Sequence, residues 1–325
     1  MRYGKVVKRA RADGQVPGDK VKLSDDKVKE REKEVRIVEI KRVGVAGCGL
    51  MGSGIAEVCA RAGYEVVVRE INEELLRAGL QRIDASMRKA VERGKLEAKE
   101  ADQAKARITG TVDLDLFSHV DLVIEAIVEN MEEKKKLFRE LDRICPAHAI
   151  FASNTSSLSI TEMASVTRRP EKFVGMHFFN PPPVMKLVEV VRGYLTSEET
   201  IATAKAFAES LGKTVVVTKD RPGFIVNLLL VPYLLDAIRA LELGVATKEE
   251  IDTAVTLGLG HPMGPFTLLD FVGLDTTYYI AEAMYQEFKD PRFAAPPLLK
   301  QMVLAGHLGR KSGKGFYDYT AGGSG

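Results

Sequence analysis

A chain of 325 residues exceeds the roughly 250 residues at which one hydrophobic core stops growing, so two domains are expected. With 45% apolar and 28% charged side chains the composition is that of a soluble globular protein, and a net charge of +2 points to neither nucleic acid nor a membrane surface as partner. Three cysteines (Cys48, Cys59, Cys145) are too few and too scattered for a disulfide framework, and the five histidines lack metal-clip spacing, so a reducing, cytoplasmic compartment and no metal are expected.

Residues 1–40 carry mixed charges and few large apolar side chains, which cannot bury enough surface to offset the entropy of ordering; a disordered extension is expected there. Five basic and no acidic side chains in its first twelve residues are faintly like a transit peptide. Acidic residues begin at Asp13 without a clear amphipathic arginine helix, so an unprocessed tail or an upstream start codon is the preferred reading.

A short β-branched run, Val43 and Val45, then enters Gly47-Cys48-Gly49-Leu50-Met51-Gly52 and a helical pattern. In this strand, G-x-G-x-x-G, helix arrangement Gly47 makes the tight turn, Gly49 lets backbone approach a pyrophosphate and Gly52 allows close helix packing. The next strand, YEVVVRE, ends in Glu70, placed to accept the adenosine ribose hydroxyls and so to favour NAD over NADP. Arg69 beside it is the competing signal, since an arginine there would suit a 2'-phosphate. A βαβ unit without nucleotide is the bland alternative.

The charged segment Asn72 to Arg107 has helical spacing, with Arg82, Ser86, Lys89 and Arg93 along one face. Either a phosphorylated ligand tail or plain solvent would suit that face. Two further strands, in VDLVIEAI and AIFASN, flank a charged helix from Met131 to Ile144 and continue a doubly wound α/β sheet. Their ends, Glu125 to Asn130 and Ser153 to Ser157, are polar beyond the needs of a single helix cap and are expected to line a pocket. GMHFFNPPPVMKLVEVV then sets His177 and Glu189 in an unusually apolar stretch.

After GKTVVVTKDRPGF the pattern turns helical over Phe224 to Leu243, Thr247 to Leu257 and Asp275 to Phe288, broken at GLGHPMGP and DPRFAAPP, with Thr247 and Glu250 as a capping box. The expected organisation is a Rossmann-type domain over 41–220, an all-α domain over 221–319 and a flexible tail over 320–325. The longest apolar run, Phe224 to Leu235, is interrupted by Asn227 and Pro232 and is too short to cross a bilayer; core and subunit interface are equal readings of its stripe.

GCGLMGSGIA, EAIVEN, FASNTSSLSI, GMHFFNPPPVMKLVEVV, DRPGFIVN and GHPMGPFTLLDFVGLDT together closely resemble the L-3-hydroxyacyl-CoA dehydrogenases, including the 3-hydroxybutyryl-CoA enzymes, over about Lys41 to Tyr319. The resemblance implies NAD in a Rossmann domain, an acyl-CoA substrate in the cleft beside a helical domain, and a homodimer. By the same resemblance His177 is the general base and acid, Glu189 its partner, and Ser156 and Asn227 contact the substrate oxygen. Cofactor contacts would come from Gly47, Gly49, Leu50, Met51, Gly52, Glu70, Glu129, Lys134, Asn180 and Lys311, and CoA contacts from Ser86, Arg93 and Ser156. Three positions depart from the family pattern: Glu70 replaces the usual aspartate, Arg93 replaces a lysine, and Leu228 stands where arginine commonly follows PGFIVN. A dehydrogenase of free hydroxy or sugar acids, like the gulonate dehydrogenases related to λ-crystallin, and a non-catalytic nucleotide-binding protein are the alternatives.

Overall fold

The structure is a computed structural model that describes residues 37–320. The extension expected over 1–40 thus lies outside the described residues up to position 36, and the tail does so after Thr320. Ordered contacts begin before Lys41: the Val38 N–H donates to Thr203 Oγ1 at 3.0 Å.

Elements alternate as the apolar periodicities require. In chain order they are β1 (Arg42–Ala46), α1 (Leu50–Arg61), β2 (Glu65–Arg69), α2 (Glu73–Glu92), α3 (Ala98–Ala106), β3 (Ile108–Thr111), β4 (Leu122–Glu125), α4 (Met131–Ile144), β5 (Ile150–Ser153), α5 (Ile160–Ala164), β6 (Phe173–Phe178), β7 (Leu187–Arg192), α6 (Glu198–Ser210) and β8 (Thr214–Lys219). The strands form one sheet in the order β3-β2-β1-β4-β5-β6-β7-β8. Strands β1 to β6 are parallel, β7 runs antiparallel to β6, and β8 parallel to β7. The order reverses between β1 and β4, so their carboxyl ends open the crevice where such sheets hold ligands. One face of the sheet packs Ile55, Ile83, Ala104 and Phe207 and the other Leu137, Phe138 and Met163, which covers β1, β4 and β5 with near-continuous apolar runs.

The helical part follows as α7 (Val226–Glu242), α8 (Lys248–Leu259), α9 (Pro265–Val272), α10 (Leu274–Phe288) and α11 (Pro297–Leu304), around a separate core that includes Leu235, Phe266, Leu269 and Phe293. The expected capping box is present, with Thr247 Oγ1 accepting from the Glu250 N–H and Glu250 from the Thr247 N–H. Helices α9 and α11 correct the sequence reading, which took their proline-rich starts as breaks; each opens with proline in its first turn, where the missing N–H costs nothing. The charged segment after Asn72 is likewise two helices, the second opened by a Glu97–Glu100 capping box. No helix among the described residues is long and apolar enough to cross a membrane.

Behind β5, Asp142 accepts from Arg168 Nε and Arg169 Nε, both at 2.8 Å. Arg168 is largely exposed and contributes little, whereas Arg169 and Asp142 are buried. Burial alone would raise the Asp142 carboxyl, but the arginine hydrogen bonds outweigh it and hold its pKa below the ordinary carboxylate value. A carboxyl depressed in the folded state contributes stability that is present above its unfolded value of about 3.9 and is lost as pH falls through the folded value. Asp142→Asn should therefore cost about 3 kcal/mol at neutral pH, because Arg169 is left buried without its counter-ion. Urea unfolding should show this as a lower midpoint at constant slope, with the deficit shrinking on acidification below about pH 4.

Candidate active site

The glycine loop leaves β1 at Gly47, whose φ of 96° is open to glycine and whose added Cβ would meet the Ala126 carbonyl oxygen at 2.6 Å. A Cβ at Gly52 would collide with the Gly47 carbonyl, so the turn and the helix start leave no room for side chains. Gly49, by contrast, has no atom within 4 Å of its would-be Cβ. It caps α1 without any side-chain hydrogen bond, so the first amides of that helix are left for an incoming anion. This cradle fits a dinucleotide pyrophosphate. Leu50 is exposed at its lip, and Met51 is half-buried.

Glu70 reaches back from the end of β2. Its Oε1 accepts from the Cys48 N–H at 2.6 Å and its Oε2 from the Ile71 N–H at 3.1 Å, while the Cys48 carbonyl accepts from Arg82 at 2.8 Å. The loop peptide is thereby gripped from both sides, and the second lone pair of each Glu70 oxygen remains for ribose hydroxyls. Arg69, the competing signal for a 2'-phosphate, instead donates from Nε to the Val112 carbonyl at 3.3 Å. Cys48 is fully buried, and burial pushes its thiol up to about 12, so it serves packing and not thiolate chemistry.

The ends of β4 and β5 form a network of carboxylates. Glu125, wholly buried, accepts from Lys134 Nζ at 2.6 Å and from Ser153 Oγ at 2.5 Å. Lys134 Nζ also pairs with Glu129 at 3.1 Å, and Glu129 accepts from the Thr155 hydroxyl, the Ser156 N–H and the Ser157 hydroxyl. Burial would raise the Glu129 carboxyl, yet the Lys134 charge and the Thr155 hydrogen bond hold it below the usual carboxylate range. Asn130 caps α4, Ser159 donates to Asp220 at 3.0 Å, and the Ile160 and Thr161 amides also donate to Asp220. Within the run Ser153 to Ser159, Ser156 is left as the hydroxyl with no hydrogen bond among the described residues. Sequence reading singled out neither Asp220 nor the inward use of Glu125; an acidic residue at a strand end was the one local signal for either.

His177 lies opposite Glu189 in the antiparallel pairing of β6 and β7. Its Nδ1 is 2.7 Å from Glu189 Oε2, with Glu189 at 0% exposure and His177 at 7%. The other Glu189 oxygen accepts from the Ile225 and Val226 amides, each at 3.0 Å, at the start of α7. This second function of Glu189 was not legible in the sequence. A carboxylate at that place fixes the imidazole tautomer with Nδ1–H as donor and leaves Nε2 for a substrate. The ring is packed by Phe179 and Phe224, at centroid distances of 4.5 and 5.6 Å. Phe224 holds φ at 50°, a left-handed conformation costing on the order of 1–3 kcal/mol in a bulky residue, and is nearly fully buried.

Asn227 stands on the first turn of α7, immediately after the amide held by Glu189. Asn154 Oδ1 accepts from the Phe178 N–H at 2.8 Å, which ties the strand end before Ser156 to the residue after His177. Asn180 is exposed in the turn that leaves β6. On α2, Ser86 is half-buried and Arg93 is the exposed C-cap. Arg82 departs from the expected basic stripe, since its guanidinium is taken up by the glycine loop. Lys311 lies in the helical part, 2.6 Å from Asp275.

Residues 42–221 match the family model for the 3-hydroxyacyl-CoA dehydrogenase NAD binding domain, and residues 223–319 that for its C-terminal domain. The chain is 54% identical over 282 residues to a 3-hydroxybutyryl-CoA dehydrogenase of Mycobacterium tuberculosis, covering 86% of this chain and 99% of that one. Among solved structures it is similar to M. tuberculosis FadB2, with a TM-score of 0.86 and 53% identity over 87% of this chain and 100% of that one. The (S)-3-hydroxybutyryl-CoA dehydrogenase PaaH1 of Ralstonia eutropha gives a TM-score of 0.84 and 43% identity over 87% of this chain and 100% of that one.

Glu189→Ala would strand three donors at once: His177 Nδ1–H and the amides of Ile225 and Val226. The expected loss is about 3 kcal/mol or more, read as a fall in the denaturant midpoint, whereas an unchanged midpoint would show that the carboxylate does not hold α7.

Proposed function

The chain belongs to the 3-hydroxyacyl-CoA dehydrogenase family, and from that membership we propose that it interconverts (S)-3-hydroxyacyl-CoA and 3-oxoacyl-CoA with NAD, 3-hydroxybutyryl-CoA among its substrates. The observation that carries the reading is the buried His177–Glu189 hydrogen bond at 2.7 Å, with Nε2 left over for chemistry. NAD, when bound, supplies the hydride acceptor. His177 Nε2 takes the proton from the C3 hydroxyl in oxidation and returns it in reduction, a role suited to imidazole because one ring nitrogen can accept and release a proton while the other stays hydrogen-bonded to Glu189. Glu189 keeps Nδ1 protonated and stabilises the imidazolium that forms, the orienting part a carboxylate plays beside a catalytic histidine. Ser156 Oγ and the Asn227 amide donate to the substrate oxygen, where negative charge builds up during ketone reduction.

The glycine loop from Gly47 to Gly52 holds the pyrophosphate and Glu70 the adenosine ribose; the engagement of Arg69 Nε by the Val112 carbonyl supports NAD over NADP. Asn180, Glu129 and Lys311 complete the cofactor contacts, while Lys134, buried between Glu125 and Glu129, acts by holding Glu129 in place. Ser86 and Arg93 take the CoA nucleotide, supported by the absence of an acidic partner for Arg93 among the described residues. The protein acts as a homodimer, for which the exposed Leu229, Leu257, Leu259, Phe271 and Tyr279 of the helical part supply apolar surface.

His177→Ala is expected to lower kcat by on the order of 10³-fold while NADH still binds, measured by cofactor fluorescence. Glu189→Gln should lower kcat by on the order of a hundredfold and displace the pH–rate profile; an unaltered profile would count against the pairing. Turnover of acetoacetyl-CoA beside free acetoacetate, both with NADH, tests the substrate class, and equal rates would overturn the CoA assignment.

A further inference from the structure

The turn between β6 and β7 runs from Phe179 through Asn180 and three prolines to Lys186, and it is fastened from outside. Lys213 Nζ donates to the carbonyls of Pro182, at 2.5 Å, and Met185, at 2.9 Å. Inside the turn the Pro181 carbonyl accepts from the amides of Val184 and Met185, both at 3.0 Å, so Lys213 satisfies carbonyls that the turn itself cannot. From the other side the prolines rest on α1 at Gly54, where an added Cβ would stand 2.8 Å from Pro182 Cδ and 3.2 Å from Pro183 Cδ. The helix that carries the dinucleotide cradle is thus the floor of the turn, and Lys213 is its fastening.

Lys213 is itself held firmly. It follows Gly212, which takes φ 73° after the last turn of α6, and its own N–H donates to the Ala208 carbonyl at 3.2 Å while the Gly212 N–H donates to Glu209 at 2.9 Å. This helix stop ends α6 just before β8, and from there the side chain reaches the proline turn. Burial pushes the Lys213 ammonium below the usual lysine value and Arg61 adds to the effect, with Cys59 and Glu57 opposing it. Glu57, buried in α1, bonds Arg61 through Oε1 at 3.1 Å, and its Oε2 has no hydrogen-bond partner among the described residues. A lysine kept at a place that disfavours its charge needs acceptors there, and the two carbonyls are those acceptors.

We infer that Lys213 is a positioning residue for the cofactor: by holding the Pro182 and Met185 carbonyls it sets the proline turn on α1, and so places Asn180 for its contact with NAD. The inference rests on the proposed function, in which Asn180 is a cofactor contact. Lys213→Met removes the cation at similar length, Lys213→Arg keeps it, and Gly54→Ala displaces the same turn from the helix side with Lys213 intact. Lys213→Met and Gly54→Ala should each weaken NADH binding and raise the KM for NADH about tenfold, since small misplacements of a positioning group are costly. The KM for acetoacetyl-CoA should stay within about twofold, and Lys213→Arg should restore most of the NADH affinity. Wild-type NADH affinity and kcat in Lys213→Met, whatever its melting temperature, would overturn the inference. Wild-type NADH affinity in Asn180→Ala would instead overturn the assignment of Asn180, so the two failures are told apart.

Discussion

The carboxylate of Glu189 lies wholly inside the protein, and a charge so placed is tolerated only where its oxygens are hydrogen-bonded. One oxygen meets the imidazole of His177 across the strand pair, and the other meets the first free amides of α7, where the helix dipole favours negative charge. A single group thereby orients the proposed base and anchors the start of the helical part. The placement of Asn227 follows from it, because the residue comes directly after the amide that Glu189 holds. The strained Phe224 sits in the same link, at φ 50°, packed on the His177 ring. Its conformation persists because the hydrogen bonds on the following residues and the aromatic packing over-determine it.

The same device recurs at the neighbouring strand ends. A parallel sheet brings the carboxyl ends of β1, β4, β5 and β6 to one side, and those of β4 and β5 are followed by polar residues that would be costly to bury unpaired. Glu125, Glu129 and Asp220 absorb the hydroxyls and amides of the Ser153–Thr161 segment, with Lys134 between the first two as counter-ion. The Ser156 hydroxyl is the exception, since only the N–H of that residue is engaged by Glu129. Its freedom is thus a product of its neighbours' saturation, and it gives the proposed donor role a physical basis. At β2 the peptide of Cys48 is held by Glu70 through its N–H and by Arg82 through its carbonyl, which links the cofactor loop to the helix that carries Ser86 and Arg93.

Much of this was legible beforehand, for identifiable reasons. The glycine loop is a local device whose spacing follows from turn and helix geometry, so Gly47, Gly49 and Gly52 could be read with their mechanical roles. The twelve-residue separation of His177 and Glu189 also carried information, since an antiparallel return over that length places the two opposite each other. Helices α9 and α11 were missed because proline was read as a breaker, when in a first turn it is compatible with a helix. The polar run after β5 was read as a pocket lining, and most of its members turned out to face inward onto carboxylates.

What the sequence by itself determined is whatever depends on near neighbours: the alternation of strands and helices in the first domain, the cradle at the start of α1, the cap at Thr247, and the residue types able to move a proton. Only the tertiary structure decided which charge meets which partner. Arg69 meets Val112, Arg82 meets Cys48, Asp220 meets residues sixty positions earlier, and Lys213 meets a proline turn. Such pairings arise where the packed sheet and helices happen to bring polar groups together, and periodicity along the chain carries no record of them. The demand that buried polar groups find partners is general, but the partners are set by the fold.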